Sequence, residues 1–350
     1  MARIAVAGAG AIGASVAYHL ASLGARDVVH CDAGEIAGGA TSKGMGGVRQ
    51  QFSTAPEVKL AQASIAFFEE LGEPFFSQVG YLFLATTEEG LAALEKRRAL
   101  QAELGVPAER VHPSYVPGLR VDDVLGAVVC RTDGVGDPPG FARELVRRAA
   151  ALGVEVRERT RVEEVDAATV VVACGAWSAE VARGFGVDLP VRPLCRQLLL
   201  TSAVPGLDPL LPMVIEAETG FHFRRRGDRL VLAMTDAEPR WTAEPWVDES
   251  VFDERRERLA SRYPPAAGVV IENAWAGLYD MTPDAHPIIG PVGDGVYAAC
   301  GFSGHGFMQS PAVGRAVAEE LLLGESSFDL TPYRLERFEG GAGFPETLVL

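Results

Sequence analysis

Residues 3–32 read RIAVAGAGAIGASVAYHLASLGARDVVHCD, and this stretch decides the fold of the chain around it. An apolar run at 4–7 leads into Gly8-Ala9-Gly10-Ala11-Ile12-Gly13, and a helical pattern follows. A second apolar run at 28–31 ends at Asp32. Short apolar runs on either side of a turn and a helical period predict a strand, a tight turn, a helix and a second strand.

The three glycines of this turn each have a mechanical role in a dinucleotide site. Gly8 permits the turn, Gly10 lets the backbone approach a pyrophosphate, and Gly13 lets helix and strand pack closely. The amides of the first helical turn then receive the phosphate charge. Asp32 lies where a carboxylate accepts the ribose hydroxyls. The pattern predicts a bound dinucleotide, with a purely structural turn as the alternative, and it does not distinguish NAD from FAD.

Composition limits the class of protein. The chain has 350 residues, more than the roughly 100 to 200 of one domain, so two domains are expected.

No apolar run reaches the roughly 18 to 20 residues of a membrane span and the start lacks a charged n-region, which together predict a soluble cytoplasmic protein. The net charge of −15 disfavours nucleic acid as a partner. Five widely spaced cysteines without a CxxC pair indicate buried thiols and no metal site.

A glycine-rich segment follows Asp32 and is too irregular for a helix or strand. It spans residues 33–53 and reads AGEIAGGATSKGMGGVRQQFS. A loop of this length in a compact domain is usually functional. Its small residues would let the hydroxyls of Thr41 and Ser42 lie against a cofactor, with Arg49 as a fixed cation. A mobile surface loop is the alternative.

The alternation of strands and helices stops near residue 78 and resumes near residue 138, where DGVGDPP (133–139) is expected to be a linker. Strands in close succession between 191 and 234 predict an antiparallel sheet, and 269–276 a strand that returns to the first domain. The expected fold is therefore α/β plus antiparallel β, with a Rossmann-type domain and a second, discontinuous substrate domain. The predicted division is 1–77, 138–190 and 275–339 for the first domain, 78–137 and 191–274 for the second, and 340–350 for a tail.

With these segments in order, the chain resembles the D-amino-acid oxidase superfamily of FAD enzymes, in the group of sarcosine oxidase, glycine oxidase, dimethylglycine dehydrogenase and amino-acid dehydrogenase beta subunits. The resemblance is carried by GAGAIG with Asp32, GGATSKGMGGVRQQFS (38–53), VVVACGAWS (170–178), WAGLYDMTPDAHPIIG (275–290) and GFSGHGF (301–307). It spans nearly the whole chain and implies FAD as the cofactor.

The resemblance also implies a set of FAD contacts. Pyrophosphate contacts fall on the first glycine turn, ribose on Asp32, phosphates on Thr41 and Ser42, adenine on the backbone of Val162, and the flavin ring on residues 301–308. The complete cofactor-binding set is Gly8, Gly10, Ala11, Ile12, Gly13, Asp32, Ala33, Thr41, Ser42, Lys43, Gly46, Gly47, Val162, Ala173, Gly175, Trp177, Gly277, Tyr279, Gly301, Gly304, His305, Gly306, Phe307 and Met308.

Three departures from the family pattern matter. Gly277 stands where sarcosine oxidase has the cysteine that tethers its flavin, so noncovalent FAD is expected. Met308 and Tyr279 replace a lysine and an arginine that hold the substrate carboxylate in relatives. The hairpin at 221–234 also lacks the lysine that helps oxygen react in sarcosine oxidase, so an acceptor other than oxygen is plausible.

The implied reaction moves a hydride from the carbon next to an amine nitrogen to flavin N5 and leaves an imine. Such a site needs orientation more than a strong base. Arg49 and Arg224 are the candidate anchors for a substrate carboxylate, because a guanidinium binds a carboxylate through two parallel hydrogen bonds. His222, Tyr279 and His305 complete the candidate catalytic set.

Three functions remain open at this stage. The first is an FAD-dependent amine or amino-acid oxidoreductase, which would pass electrons to oxygen or to another acceptor, as a monomer or an oligomer. The second is a dehydrogenase of hydroxy acids. The third is a non-catalytic assembly factor, since Gln50 to Ser53 also resemble respiratory-complex assembly factors of this fold.

Overall fold

The fold is taken from a computed structural model, which describes residues 3–339 and Pro345. The rest of the expected tail lies outside the described residues. The α-helices of the described part, numbered α1 to α7 in chain order, are Ala11–Ser22, Ala55–Leu71, Glu88–Glu103, Pro138–Ala151, Ser178–Gly184, Phe252–Arg262 and Gly306–Leu323. The strands, β1 to β18 in chain order, are Ile4–Ala7, Val28–Cys31, Gly47–Val48, Phe76–Ser77, Tyr81–Ala85, Ala108–Val111, Gly126–Cys130, Gly134–Gly136, Glu155–Arg157, Thr169–Val172, Arg192–Thr201, Met213–Glu216, His222–Arg226, Arg229–Ala233, Arg240–Trp241, Ile271–Met281, Ile288–Gly293 and Val296–Cys300.

The first layer is a six-stranded sheet in the order β17-β18-β10-β1-β2-β9. Its strands run parallel except for β17, which joins the edge antiparallel to β18. Strands β1, β2 and β18 are buried along their whole length, as is typical of a parallel sheet covered on both faces. The parallel sheet expected from the first motif is confirmed.

Helices α1, α4 and α7 pack on this sheet around one apolar cluster that includes Val16, Leu20, Val313 and Val317. The close contact of α1 with α7 depends on a small residue, because a Cβ at Gly314 would lie 2.2 Å from Ser15 Oγ. This packing brings the N-termini of both helices to the edge where the parallel strands end.

The second layer is a nine-stranded sheet in the order β15-β11-β14-β13-β12-β5-β7-β6, with β16 paired to β11. It is antiparallel as expected, apart from one parallel pair between β5 and β12. The strand expected at 269–276 does not return to the first sheet. It is β16, which stays paired with β11 as far as Met281 and so crosses the expected boundary at residue 275.

A small three-stranded sheet, β3-β8-β4, joins the glycine-rich segment to the chain near residue 135. Strand β8 lies within the segment expected to be a linker, and that expectation is wrong for Gly134 to Gly136. The glycines permit the pairing because backbone groups pack closely here: a Cβ at Gly134 would lie 2.1 Å from Ser77 O. The division into two domains stays a prediction.

Candidate functional site

The first glycine turn has the close backbone contacts that its sequence predicts. Gly8 has a positive φ of 98°, and a Cβ there would lie 2.3 Å from Ala173 O. A Cβ at Gly13 would lie 1.8 Å from Gly8 O. Larger residues are excluded at both positions, since these gaps are far shorter than van der Waals contact.

Gly10 differs from its two neighbours, because a Cβ there would meet only Thr41 Oγ1, at 3.0 Å. The same hydroxyl accepts a hydrogen bond from the Ala11 amide at 3.0 Å. Gly10 is the N-cap of α1, so the amides of the first helical turn have no partner within the helix. An open backbone surface with amides at a helix N-terminus fits the pyrophosphate of FAD.

Asp32 links the first glycine turn to the loop that follows β2. Its carboxylate accepts hydrogen bonds from the amides of Ala9 at 2.6 Å and Gly34 at 2.7 Å. A carboxylate has about four lone-pair sites, so acceptor capacity remains for ribose hydroxyls. The ribose contact itself stays a prediction.

The other residues predicted for the adenine half follow the same edge of the sheet. Val162 is buried after β9, Ala173 lies beside Gly8, and the Trp177 ring lies 3.6 Å from a Cβ placed on Gly39. Ser42 donates its hydroxyl hydrogen to backbone oxygens of its own turn, Gly38 O and Gly39 O, both at 2.9 Å. The Ser42 hydroxyl is therefore better placed to shape the loop than to donate to a phosphate.

The turn before α7 is held by Asp280. Its side chain accepts hydrogen bonds from the amides of Gly301 at 2.7 Å and Phe302 at 3.1 Å. Burial raises the pKa of Asp280, and these amides act in the opposite direction. Gly304 lets the turn lie against a ring, since a Cβ there would be 2.4 Å from Tyr279 Cε2.

A pocket of about 120 Å³ lies between this turn and the second sheet. It brings together residues that are far apart in sequence. Those predicted for the site that line the pocket are Lys43, Gly46, Gly47, Arg49, His222, Gly277, Tyr279, Gly304, His305, Phe307 and Met308.

Arg49 and His305 line the pocket and contact each other. Arg49 is buried, and its Nη2 lies 3.3 Å from His305 Nε2 while Nη1 donates to Gln51 O. Its guanidinium carbon is also 4.2 Å from the centroid of the Phe52 ring. His305 is the N-cap residue of α7, so Arg49 links the glycine-rich segment to that helix terminus.

His222 lines the pocket as a neutral imidazole. Burial lowers its pKa to about 4, and the nearby guanidinium groups of Arg49, Arg196 and Arg255 act in the same direction. Its Nδ1 is 2.7 Å from Gly220 O and therefore carries the hydrogen. In this tautomer Nε2 is an acceptor.

Arg224 is not among the pocket-lining residues, contrary to its predicted role as an anchor. Its Nε donates to Met45 O at 2.6 Å and its Nη1 to Arg225 O at 3.0 Å. The bond to Met45 O holds the glycine-rich segment against β13. Burial lowers the pKa of Arg224 to about 10.

Among the pocket-lining residues that sequence reasoning missed, three have polar side chains: Tyr81, Arg196 and Gln197. Arg196 lies in the strand RPLCRQLLLT, where a charged residue within a mostly buried strand was the available signal. Burial raises the pKa of Tyr81, so its hydroxyl stays protonated.

Gly277 contacts the one lysine of the pocket. A Cβ at Gly277 would lie 2.7 Å from Lys43 Cβ. The Lys43 carbonyl is fixed by Trp275 Nε1 at 3.0 Å. A cysteine at position 277 would therefore require Lys43 to move. Noncovalent attachment of FAD stays a prediction.

The described residues, 3–339 and Pro345, contain no group of three or more histidine, cysteine, aspartate or glutamate side chains placed to hold a metal ion. Across residues 3–339, no helix has both the length and the apolar character needed to cross a membrane.

The comparisons with known proteins agree with this geometry. The profile of the family described as DAO, FAD dependent oxidoreductase, matches residues 3–320. The chain therefore belongs to the DAO family of FAD-dependent oxidoreductases, which confirms the resemblance seen in its sequence.

Similar proteins include enzymes of amino-acid oxidation. The chain is 30% identical to FAD-dependent oxidoreductase domain-containing protein 1 of Bos taurus, over 99% of this chain and 87% of that protein. It is 28% identical to glycine oxidase of Geobacillus kaustophilus, over 97% and 98% of the two chains. The solved structure of L-proline dehydrogenase from P. horikoshii has a TM-score of 0.90 and 27% identity, and the match covers 98% of this chain and 99% of that one.

Proposed function

We propose that this FAD-dependent enzyme oxidises a small primary or secondary amine or amino acid by hydride transfer, giving an imine. The observation that carries the proposal is the pocket of about 120 Å³ at the N-terminus of α7, lined by Arg49, His222 and Tyr279. Relatives named for glycine and proline support this substrate class.

Bound FAD supplies the electron acceptor for the hydride that leaves the carbon next to the substrate nitrogen. The C–H bond breaks with its electron pair, the nitrogen lone pair forms the C=N bond, and the nitrogen then carries an iminium charge or loses a proton. Water hydrolyses the product to a carbonyl compound and an amine or ammonia.

The residues of the pocket favour an uncharged substrate amine. The guanidinium groups of Arg49 and Arg196 both act on Tyr279 and His222, so positive charge already lies close to the pocket. A second positive charge is disfavoured there. Nε2 of neutral His222 accepts a hydrogen bond from a substrate N–H, which directs the nitrogen without removing its lone pair.

The N-terminus of α7 favours negative charge at the other side of the pocket. This helix has 18 residues, and its first amides lack helical partners. His305 and Arg49 add further donors at the same place. Electron transfer toward this helix terminus is therefore stabilised electrostatically.

Anaerobic mixing of the purified holoenzyme with a substrate panel tests the proposal. The panel contains glycine, sarcosine, both enantiomers of proline and alanine, and the hydroxy acids 2-hydroxyglutarate and lactate, with glycerol 3-phosphate. We expect at least one amine to bleach the visible band of oxidised flavin, with a carbonyl product found by mass spectrometry. Bleaching by hydroxy compounds alone would assign the second reaction class instead, and no bleaching by any member would favour the non-catalytic alternative. Repeating the reaction in air shows whether oxygen accepts the electrons.

A further inference from the structure

Arg196 occupies an unusual position in the wall of the pocket. It lies on β11, its side chain is 15% exposed, and its guanidinium carbon is 5.9 Å from the centroid of the Tyr279 ring. Gln197 and Leu198 of the same strand also line the pocket. The guanidinium therefore lies beside the ring that borders the α7 turn.

Two hydrogen-bond donor atoms of Arg196 are unused. Within residues 3–339, its Nε and Nη1 are buried and have no hydrogen-bond partner. The nearest carboxylate oxygen is Asp236 Oδ2, which lies 4.0 Å from Nη1 and is too distant for a hydrogen bond. Leaving buried N–H groups of a charged side chain unpaired is costly, so these donors are suited to a ligand.

Positive charge is in excess around Arg196. Asp236 already accepts from Arg240 Nε at 3.0 Å and pairs with Arg255 Nη2. Among the described residues, Asp236 is the only carboxylate within 4.0 Å of these three guanidinium groups. Two positive charges thus remain without an acidic partner, which raises the potential at this end of the pocket.

The two arginines expected from sequence are less suited to bind an anion. Arg224 donates to the backbone carbonyls of Met45 and Arg225 and is not among the residues that line the pocket. Arg49 donates to Gln51 O and contacts His305. Arg196 is thus the pocket arginine whose donors are available.

We infer that Arg196 binds the carboxylate of the substrate, and that the excess positive charge of the Arg196, Arg240, Arg255 and Asp236 cluster selects amino acids over neutral or cationic amines. The ligand class rests on the proposed function. The guanidinium would donate two parallel hydrogen bonds to the carboxylate, and the amino group would then lie toward His222.

Calorimetric titration of the FAD-loaded protein with 2-furoate tests this binding without turnover. The neutral isostere 2-furamide has the same shape without the charge. Arg196→Gln removes the charge, Arg196→Lys keeps it without the planar fork, and Arg192→Gln is the matched control. Arg192 is exposed on the same strand and stacks on Trp241 with 4.4 Å between its guanidinium carbon and the ring centroid.

We expect Arg196→Gln to weaken 2-furoate binding on the order of 10- to 100-fold, the range for a lost charge-assisted bidentate pair. Arg196→Lys should recover part of that loss, and Arg192→Gln should bind 2-furoate as wild type does. The affinity for 2-furamide should be weaker than that for 2-furoate in wild type and should not change in the variants. Equal 2-furoate affinity in wild type and both Arg196 variants, or equal affinity of wild type for the two ligands, would overturn the inference. If Arg196→Gln does not retain FAD, Arg196→Lys decides the question by the same comparison.

A kinetic comparison separates this inference from the proposed function. The apparent affinity for proline and for prolinamide is measured from anaerobic flavin reduction, first in wild type and then in Arg196→Lys. Selective loss of apparent affinity for proline supports the inference, whereas an equal loss for both ligands contradicts it. Failure of every amine to reduce wild-type flavin would reject the proposed function and leave the 2-furoate result standing.

Discussion

Arg49 Nη2 lies 3.3 Å from His305 Nε2, although 256 positions separate the two residues in the sequence. The contact ties the glycine-rich segment after the first motif to the N-terminus of the last helix. It places a fixed positive charge at the point where the flavin ring is expected to meet the substrate.

Replacing Arg49 with lysine tests this contact. Lysine retains the charge but cannot reach Gln51 O and His305 together through a planar fork. We expect the anaerobic rate of flavin reduction to fall roughly 10- to 100-fold, the loss for a hydrogen bond of a charged group. Stopped-flow absorbance gives the rate, and Arg226→Lys, an exposed site beside Trp275, is the control. An unchanged rate in Arg49→Lys would contradict a role for this fork in the site.

Gly13→Ala should prevent the first turn from closing. Its added Cβ would lie 1.8 Å from Gly8 O, so the helix must move away from the strand. We expect the free energy of unfolding to fall by about 1–3 kcal/mol, as for other overpacked positions, and the FAD content after purification to fall with it. Gly268→Ala is the matched control, because a Cβ there has open space and an ordinary φ. Full FAD content in Gly13→Ala would show that the turn does not hold the cofactor as described.

Acid precipitation of the holoenzyme tests the attachment of FAD. We expect the wild type to release all flavin to the supernatant, since position 277 is glycine and lies against Lys43. Gly277→Cys should not create a tether and should weaken flavin binding instead, because Lys43 would be displaced. Yellow colour retained in the washed wild-type precipitate would show a covalent bond and refute this reading of Gly277.

His222 predicts a specific pH dependence of stability. Its pKa in the folded protein is about 4, below its ordinary value of 6.5, so between these values the unfolded state binds more protons. The free energy of unfolding should therefore decrease as pH falls from 6.5 to 4. Below pH 4, His222 should cause no further change. The full effect is about 3 kcal/mol.

Urea unfolding of wild type and His222→Asn at several pH values measures this effect. Asparagine retains a donor for Gly220 O but does not titrate, so its stability should vary less across this window. His112→Asn, at an exposed histidine, should behave as wild type. Identical pH profiles for His222→Asn and wild type would mean that His222 does not titrate as inferred.

The parts of the fold encoded by neighbouring residues could be predicted from the sequence. Gly8, Gly13 and Asp32 lie in one strand-turn-helix-strand unit, so their positions follow from spacing. The turn at 301–307 was recognisable for the same reason. The family and FAD were predicted correctly from these segments together.

The parts that depend on distant pairing could not be predicted. Strand β8 is short and glycine-rich, and only its pairing with β3 and β4 makes it a strand. Arg224 and Arg196 are both arginines of the second sheet, and nothing local distinguishes them. The backbone carbonyl of Met45, from a distant segment, accepts from Arg224, whereas strand pairing places Arg196 opposite Gly277 in the wall of the pocket.

A crystal structure of the FAD-loaded protein tests the central claim most directly. The claim predicts the pyrophosphate at the amides around Gly10 and Ala11, the adenine beside Val162, and the flavin ring against the turn from Gly304 to Met308 with the Arg49 and Tyr279 pocket open at its face. Density for FAD elsewhere, or a flavin ring that does not border this pocket, would contradict it.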